Sequence, residues 1–259
     1  MTDSPIWSAS SGADDAPVIV LIHGSLDRSA GLLRLSRRLA DRFRVLRYDR
    51  RGYGRSTPHP GPFGVPEQVV DLDAVIAAHG ADLPVALFGH SFGGNVALAY
   101  ADRFPDRVAC VITYESPMSW ADWWPRDSAG SRALDGAIDP GDAAERFMRS
   151  LIGDDKWERL PLATREARRS EGPATIGELD DLRRGPPWSG DRVVAPVLAL
   201  YGARGREQHR RAAAAVVDQV VDGTLVAVDD ARHFGPNTHP DAVAALVSDF
   251  VAGSVDGAG

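Results

Sequence analysis

Short apolar runs that recur along the chain, separated by stretches with helical spacing, constrain this sequence more than any other feature. The runs are VIVLIH (18–23), FRVLRYD (43–49), VALFGH (85–90), VACVITYE (108–115), VLALYG (197–202) and TLVAVDD (224–230). Most are rich in valine, leucine and isoleucine and do not alternate with polar residues, which is the pattern of parallel strands covered on both faces. Between them, AGLLRLSRRLADR (30–42) sets Leu32, Leu35 and Leu39 on one face of a helix. PEQVVDLDAVIAAHG (66–80) opens on proline and closes on glycine, as a helix does. GGNVALAYADRF (93–104), EQHRRAAAAVVDQV (207–220) and PDAVAALVSDFVAG (240–253) complete the series. Strand and helix in alternation predict an α/β fold with a mainly parallel sheet.

Residues 116–192 break this rhythm. They contain no convincing strand, carry helical patterns near 141–152 and 156–184, and hold five of the six tryptophans. A segment of this length is too long for a plain connection. It reads as a helical cap inserted between two late strands, over the C-terminal edge of the sheet, with residues 1–115 and 193–259 as the core. Packing of cap on sheet accounts for most such rings. Trp120, Trp123 and Trp124 are the candidates to line a pocket, because ligand sites are commonly apolar and aromatic.

Composition removes several function classes. The net charge of −7 argues against a nucleic-acid partner. Arginines are dispersed among carboxylates, and Lys156 is the single lysine, so a solvated mixed-charge surface is expected. Cys110, the one cysteine, lies in an apolar run and reads as a buried, inert thiol. The N-terminal stretch 1–17 is acidic without an apolar signal core, and no run approaches the roughly 20 residues that cross a bilayer. A cytoplasmic protein with no membrane partner is the expectation. The histidines lack metal-cluster spacing and no phosphate-binding glycine loop occurs, so neither metal nor cofactor is expected. Oligomeric state is not legible.

Gly89-His90-Ser91-Phe92-Gly93 has the form Gly-x-Ser-x-Gly, with the apolar run VALF before it and a helical stretch after it. A sharp strand-to-helix turn of this kind lifts the serine hydroxyl above the sheet edge, at a helix N-terminus that favours developing negative charge.

With LIHGS (21–25), RYDRRGYGRS (47–56) and ARHFGPNTHPDAV (231–243), the motif GHSFGG (89–94) makes the chain resemble the α/β-hydrolase superfamily over nearly its whole length except the cap. The resemblance implies a doubly wound sheet with catalytic groups on its C-terminal edge. It implies Ser91 as nucleophile and His233 as the base that takes and returns its proton. It also implies an oxyanion site built from the backbone N–H groups of Ser25 and Phe92, with His23 fixing the loop. The stretch YDRRGYGRS reads as a hydrogen-bonded turn, in which Tyr53 is undecided as a ligand contact, and His239 as structural or solvated.

The acid is less direct. Many family members carry an aspartate after the strand that here ends LALYG, but the following residues are ARGREQ, with no carboxylate before Glu207. Glu207 begins a helix beside arginines and suits a helix-dipole or ion-pair role. Glu115 closes the preceding strand, a position some α/β-hydrolases use for the acid. Glu115 is therefore the favoured partner of His233, with Glu207 and Asp229 as alternatives and a buried salt bridge to the cap as its plainer role.

Serine at the turn disfavours the haloalkane dehalogenase and epoxide hydrolase branches, which use aspartate there. It points to acyl transfer on a small, fairly apolar ester or lactone. A carbon–carbon bond hydrolase, a cofactor-free perhydrolase, or a receptor that retains the pocket without catalysis stay open.

Overall fold

The computed structural model describes residues 6–256; residues 1–5, on which part of the no-leader expectation rests, and 257–259 lie outside them. The sheet begins with β1 (Ser8–Ser11), which pairs antiparallel with β3 (Arg44–Tyr48). The six apolar runs form the rest: β2 (Val18–Ile22), β3, β4 (Val85–His90), β5 (Val108–Tyr114), β6 (Val197–Gly202) and β7 (Gly223–Val228). Strand β1, sequence SASS, had no apolar signal because it sits at an edge, bonded on one side, with its side chains largely outside the core.

The strand order is β1-β3-β2-β4-β5-β6-β7, and every pair after the first is parallel. The chain steps from β2 to β3 on one side, then returns to place β4 on the other side of β2. This reversal opens a crevice beyond the C-terminal ends of β2 and β4, the usual ligand position in a doubly wound sheet.

Helices α1 (Leu33–Leu39), α2 (Val65–Ala78) and α3 (Phe92–Arg103) follow β2, β3 and β4. Alternate strand residues feed two separate layers, as the two-residue strand period requires. Val18, Val20 and Ile22 pack with Leu72 of α2 and Val96 of α3, whereas Ile19 and Leu21 pack with Leu35 and Leu39 of α1. Cys110 is buried in that second layer, where burial pushes its thiol up to about 12.

Between β5 and β6 the chain forms α4 (Ala129–Leu134), α5 (Pro140–Ile152), α6 (Asp154–Glu158), α7 (Leu162–Ser170) and α8 (Gly172–Arg184). The helical pattern over 156–184 is therefore three helices, broken before Pro161 and at Glu171. Pro161 cannot continue the helix that precedes it. A third apolar cluster, including Phe147, Ala174 and Leu179, packs these helices on Leu26 and Tyr53. The chain ends with α9 (Glu207–Gln219), α10 (Gly235–Thr238) and α11 (Pro240–Asp256). Among the described residues, no helix is long and apolar enough to cross a membrane.

Candidate active site

Ser91 stands between β4 and α3 with φ 53 and ψ −122, a backbone region costly for any side chain. Its N–H donates to the Tyr114 carbonyl of β5 at 2.8 Å. The turn is so tight that a Cβ on Gly93 would lie 2.3 Å from the Ile22 carbonyl oxygen of β2. Glycine there is a requirement of close backbone approach. Phe92 is the first residue of α3, so its N–H has no partner inside the helix.

Glu115 follows β5 at φ 49, anchored by its N–H to the Leu200 carbonyl at 2.9 Å. Its carboxylate is buried and accepts from His233 Nδ1 at 2.7 Å and from the Gly202 N–H at 3.0 Å. Burial pushes the carboxyl up, but the His233 bond and charge, His209 and the Gly202 donor outweigh it and hold Glu115 below its ordinary value. Parallel strands β5, β6 and β7 deliver these groups to one edge. The residues after β6 complete the fit, since a Cβ on Gly205 would lie 2.6 Å from Glu115 Oε1. The loop that lacks an acid thus makes room for one arriving from the next strand. Glu207 instead bonds Arg210 on its own helix and is exposed, and Asp229 is exposed. The partners of Glu115 belong to the sheet edge rather than to the inserted helices.

Two further imidazoles flank His233. His90 lies on one side with ring centroids 4.9 Å apart, and its Nε2 donates to the His233 carbonyl at 2.8 Å. His209, from the first turn of α9, stacks on His233 at 4.8 Å with planes 28° apart. Burial, with the neighbouring His233 charge, pushes both His90 and His209 down to about 3, so both rings are neutral at ordinary pH. His209 was missed in sequence because 207–220 reads only as a helix; its place at the C-terminal edge of the sheet was the available signal. Glu115, His209 and His233 each bring a ligand-type atom within 4.8 Å of the others. Nitrogen lone pairs lie in the ring planes, so two nearly parallel rings do not converge on one ion, and Glu115 Oε2 already bonds His233.

Beyond β2, His23 donates from Nδ1 to the Gly24 carbonyl at 2.8 Å and accepts the Arg50 N–H on Nε2 at 2.9 Å. Burial and then the Arg50 charge hold it well below its ordinary value. Ser25 directs its hydroxyl to Glu178 of α8 at 2.6 Å, away from a role as an extra donor to substrate. Glu178 also receives Arg50 in a fully buried ion pair, Tyr53 Oη at 2.9 Å and Gln68 Nε2 at 3.0 Å. Arg50 and Tyr53 of YDRRGYGRS are therefore buried structural partners of the inserted helices.

Two cavities, of about 190 and 670 Å³, meet at Ser25, Ser91, Phe147 and His233. Trp124 lines the larger one and meets His209 edge-on at 5.7 Å. Trp120 and Trp123, expected beside it, border neither of these two cavities. Trp120 packs edge-on to Trp188, whose Nε1 bonds Asn95 of α3 at 3.0 Å. Trp123 lies beneath the Arg211 guanidinium at 4.3 Å. Successive turns, Ala121 N–H to Met118 and Trp124 N–H to Ala121, send neighbouring rings to different sides. His239 bonds Thr238 Oγ1 at 2.8 Å and borders the larger cavity.

A reversed-order parallel sheet with a strained serine turn at its C-terminal edge defines a class, and comparison with known proteins agrees. The family model for the alpha/beta hydrolase fold matches residues 17–133. The chain is 30% identical over 220 residues to pimeloyl-[acyl-carrier protein] methyl ester esterase of Aromatoleum aromaticum, covering 77% of this chain and 87% of that protein. It is similar in structure to an alpha/beta hydrolase from Sphaerobacter thermophilus, with TM-score 0.73 and 25% identity over 95% of this chain and 96% of that one. It is also similar to the enol-lactonase from Burkholderia xenovorans LB400, with TM-score 0.76 and 22% identity over the same shares. The chain belongs to the α/β-hydrolase family and is a hydrolase of that fold.

Proposed function

We propose that the protein is a serine hydrolase that opens a carboxylic ester or lactone through an acyl-enzyme on Ser91. Ser91 Oγ attacks the carbonyl carbon while His233 Nε2 takes its proton and passes it to the leaving oxygen. Glu115 holds the His233 proton on Nδ1 and stabilises the imidazolium that forms. The N–H groups of Ser25 and Phe92 receive the oxyanion. Water, activated by the same imidazole, then releases the acid. Residues 116–192 act as a cap that encloses the substrate, and the chemistry calls on no cofactor.

The observation that carries this reading is the 2.7 Å bond from His233 Nδ1 to buried Glu115, with His233 and Ser91 bordering the same two cavities. The methyl ester esterase relative favours ester cleavage. The test is fluorophosphonate labelling with peptide mapping, joined to a screen of p-nitrophenyl esters and lactones. Labelling at Ser91 with turnover of at least one substrate class is expected. A protein that binds acyl compounds yet is neither labelled nor active would be a receptor, and the proposal would fall.

A further inference from the structure

The larger cavity is lined by buried apolar residues and by exposed basic ones. Phe92, Leu179 and Leu182 line it as buried residues, while Lys156 of α6, Arg204 and Arg206 of the β6–α9 loop and Arg232 of the β7–α10 loop line it as exposed ones. Among the described residues bordering this cavity, Asp230 is the one carboxylate. It lies 3.4 Å from Arg204. Among the described residues, no carboxylate lies within ion-pair distance of Lys156, Arg206 or Arg232. The Arg206 guanidinium donates to the Ser150 carbonyl, at 3.5 Å.

This clustering runs against the chain as a whole. The net charge is −7, and Lys156 is its single lysine. Like charges gathered around one cavity repel one another, and a cleft of one sign draws in ligands of the other. With Glu115 supplying the anion for His233, the loop after β6 is free of that task and lines the cavity with Arg204 and Arg206 instead.

We infer that the preferred substrate carries an anionic group, carboxylate or phosphate, at the end of an apolar chain remote from the scissile carbonyl. This rests on the serine hydrolase reading and names the substrate class of the same site. The apolar segment lies along Phe92, Leu179 and Leu182. The anion sits among Lys156, Arg206 and Arg232. Guanidinium groups suit either oxyanion, because their forked donors match both.

The test uses three fluorophosphonate probes of equal chain length, ending in methyl, carboxylate or phosphate, and measures the rate of Ser91 labelling. At low ionic strength the anionic probes are expected to label about tenfold faster than the methyl probe, the scale of a few partly solvated charge contacts. About 0.5 M NaCl should shrink that ratio severalfold. The triple variant Lys156→Ala, Arg206→Ala, Arg232→Ala should bring it near unity, and Arg210→Ala, outside the cavity, should leave it as in the wild type. The carboxylate and phosphate arms decide which anion fits better. Equal or faster labelling by the methyl probe, or a preference that survives both salt and the triple variant, overturns the anionic substrate while leaving Ser91 chemistry intact. Labelling by no probe removes the serine hydrolase reading and this inference with it.

Discussion

Glu115 and Glu178 are both buried carboxylates, and they are buried in opposite ways. Glu178 faces a permanent cation, Arg50, and takes further bonds from Ser25, Tyr53 and Gln68. Its charge is matched at all times, and it ties α8 to the turns after β2 and β3. Glu115 faces an imidazole and one backbone N–H. In the proposed reaction its counter-charge exists only while His233 holds the serine proton. A carboxylate kept out of water and left partly unmatched stabilises a charge that appears transiently, without reorganisation at that moment. The pair separates a charge kept for structure from one kept for a reaction step.

The sharpest way to break this contrast is Glu115→Gln. Glutamine preserves the shape and removes the charge. The expected result is a fall in kcat/KM of roughly 10³ or more, with the melting temperature changed little. Steady-state kinetics on an ester identified in the screen, beside a thermal melt, checks both parts. Retention of more than about a tenth of the activity would deny Glu115 the role of anion.

Glu178→Gln should show the complementary phenotype. It strands Arg50 as a buried cation without its partner, a loss of about 3–5 kcal/mol. For a chain of this size that corresponds to a melting temperature lower by roughly 10 °C. Calorimetry reads this directly. A variant as stable as the wild type would show that the Arg50–Glu178 pair does not hold α8 to the core.

These two residues also mark what the sequence could disclose. Glu115 stood out in the sequence because a carboxylate closing an apolar strand is conspicuous, and because ARGR (203–206), the loop after β6, carries none. Glu178 was passed over, although its signal was present. The buried positions of α8 are Gly172, Ala174, Thr175, Glu178, Leu179 and Leu182, so the glutamate falls within the stripe that faces inward. A charge on such a stripe needs a partner, and Arg50, more than a hundred residues earlier, could be assigned only once the chain was folded. The sheet was legible because strands buried on both faces write themselves as apolar runs. Strand β1 was not, because an edge strand needs no such run. Trp124 borders the larger cavity while Trp120 and Trp123 turn elsewhere, since ring direction in an irregular turn is set by local hydrogen bonds that composition does not encode.

His209 tests whether the neighbourhood of Glu115 extends to the rings around its partner. His209→Ala removes the stack on His233 and should lower kcat about tenfold through misplacement of the ring, with KM less affected. His209→Phe keeps an aromatic face and should stay within about threefold of the wild type. A pH series adds a signed readout. His209 titrates at about 3 in the folded protein and near 6.5 in an unfolded chain. As pH falls below about 6.5 the unfolded state therefore takes up the proton first, and the wild type loses about 1.4 kcal/mol per pH unit from this ring. His209→Phe removes that loss, so its melting temperature should fall less between pH 7 and pH 5. Equal slopes for the two proteins would mean that His209 is not held neutral.

The smallest effect belongs to Glu207→Gln, and its smallness is informative. Glu207 lies in the first turn of α9, five residues beyond the end of β6, close to where the sequence resemblance would lead one to look for the acid. Its side chain is 69% exposed and bonds Arg210. An exposed pair within one helix turn contributes little, and the hydrogen bond His233 needs is already supplied by Glu115. Turnover should stay within about twofold of the wild type, with no measurable change in melting temperature. The same kinetic assay used for Glu115→Gln decides it. A large loss in Glu207→Gln, with Glu115→Gln still active, would invert the assignment and require the β6–α9 loop to rearrange when substrate binds.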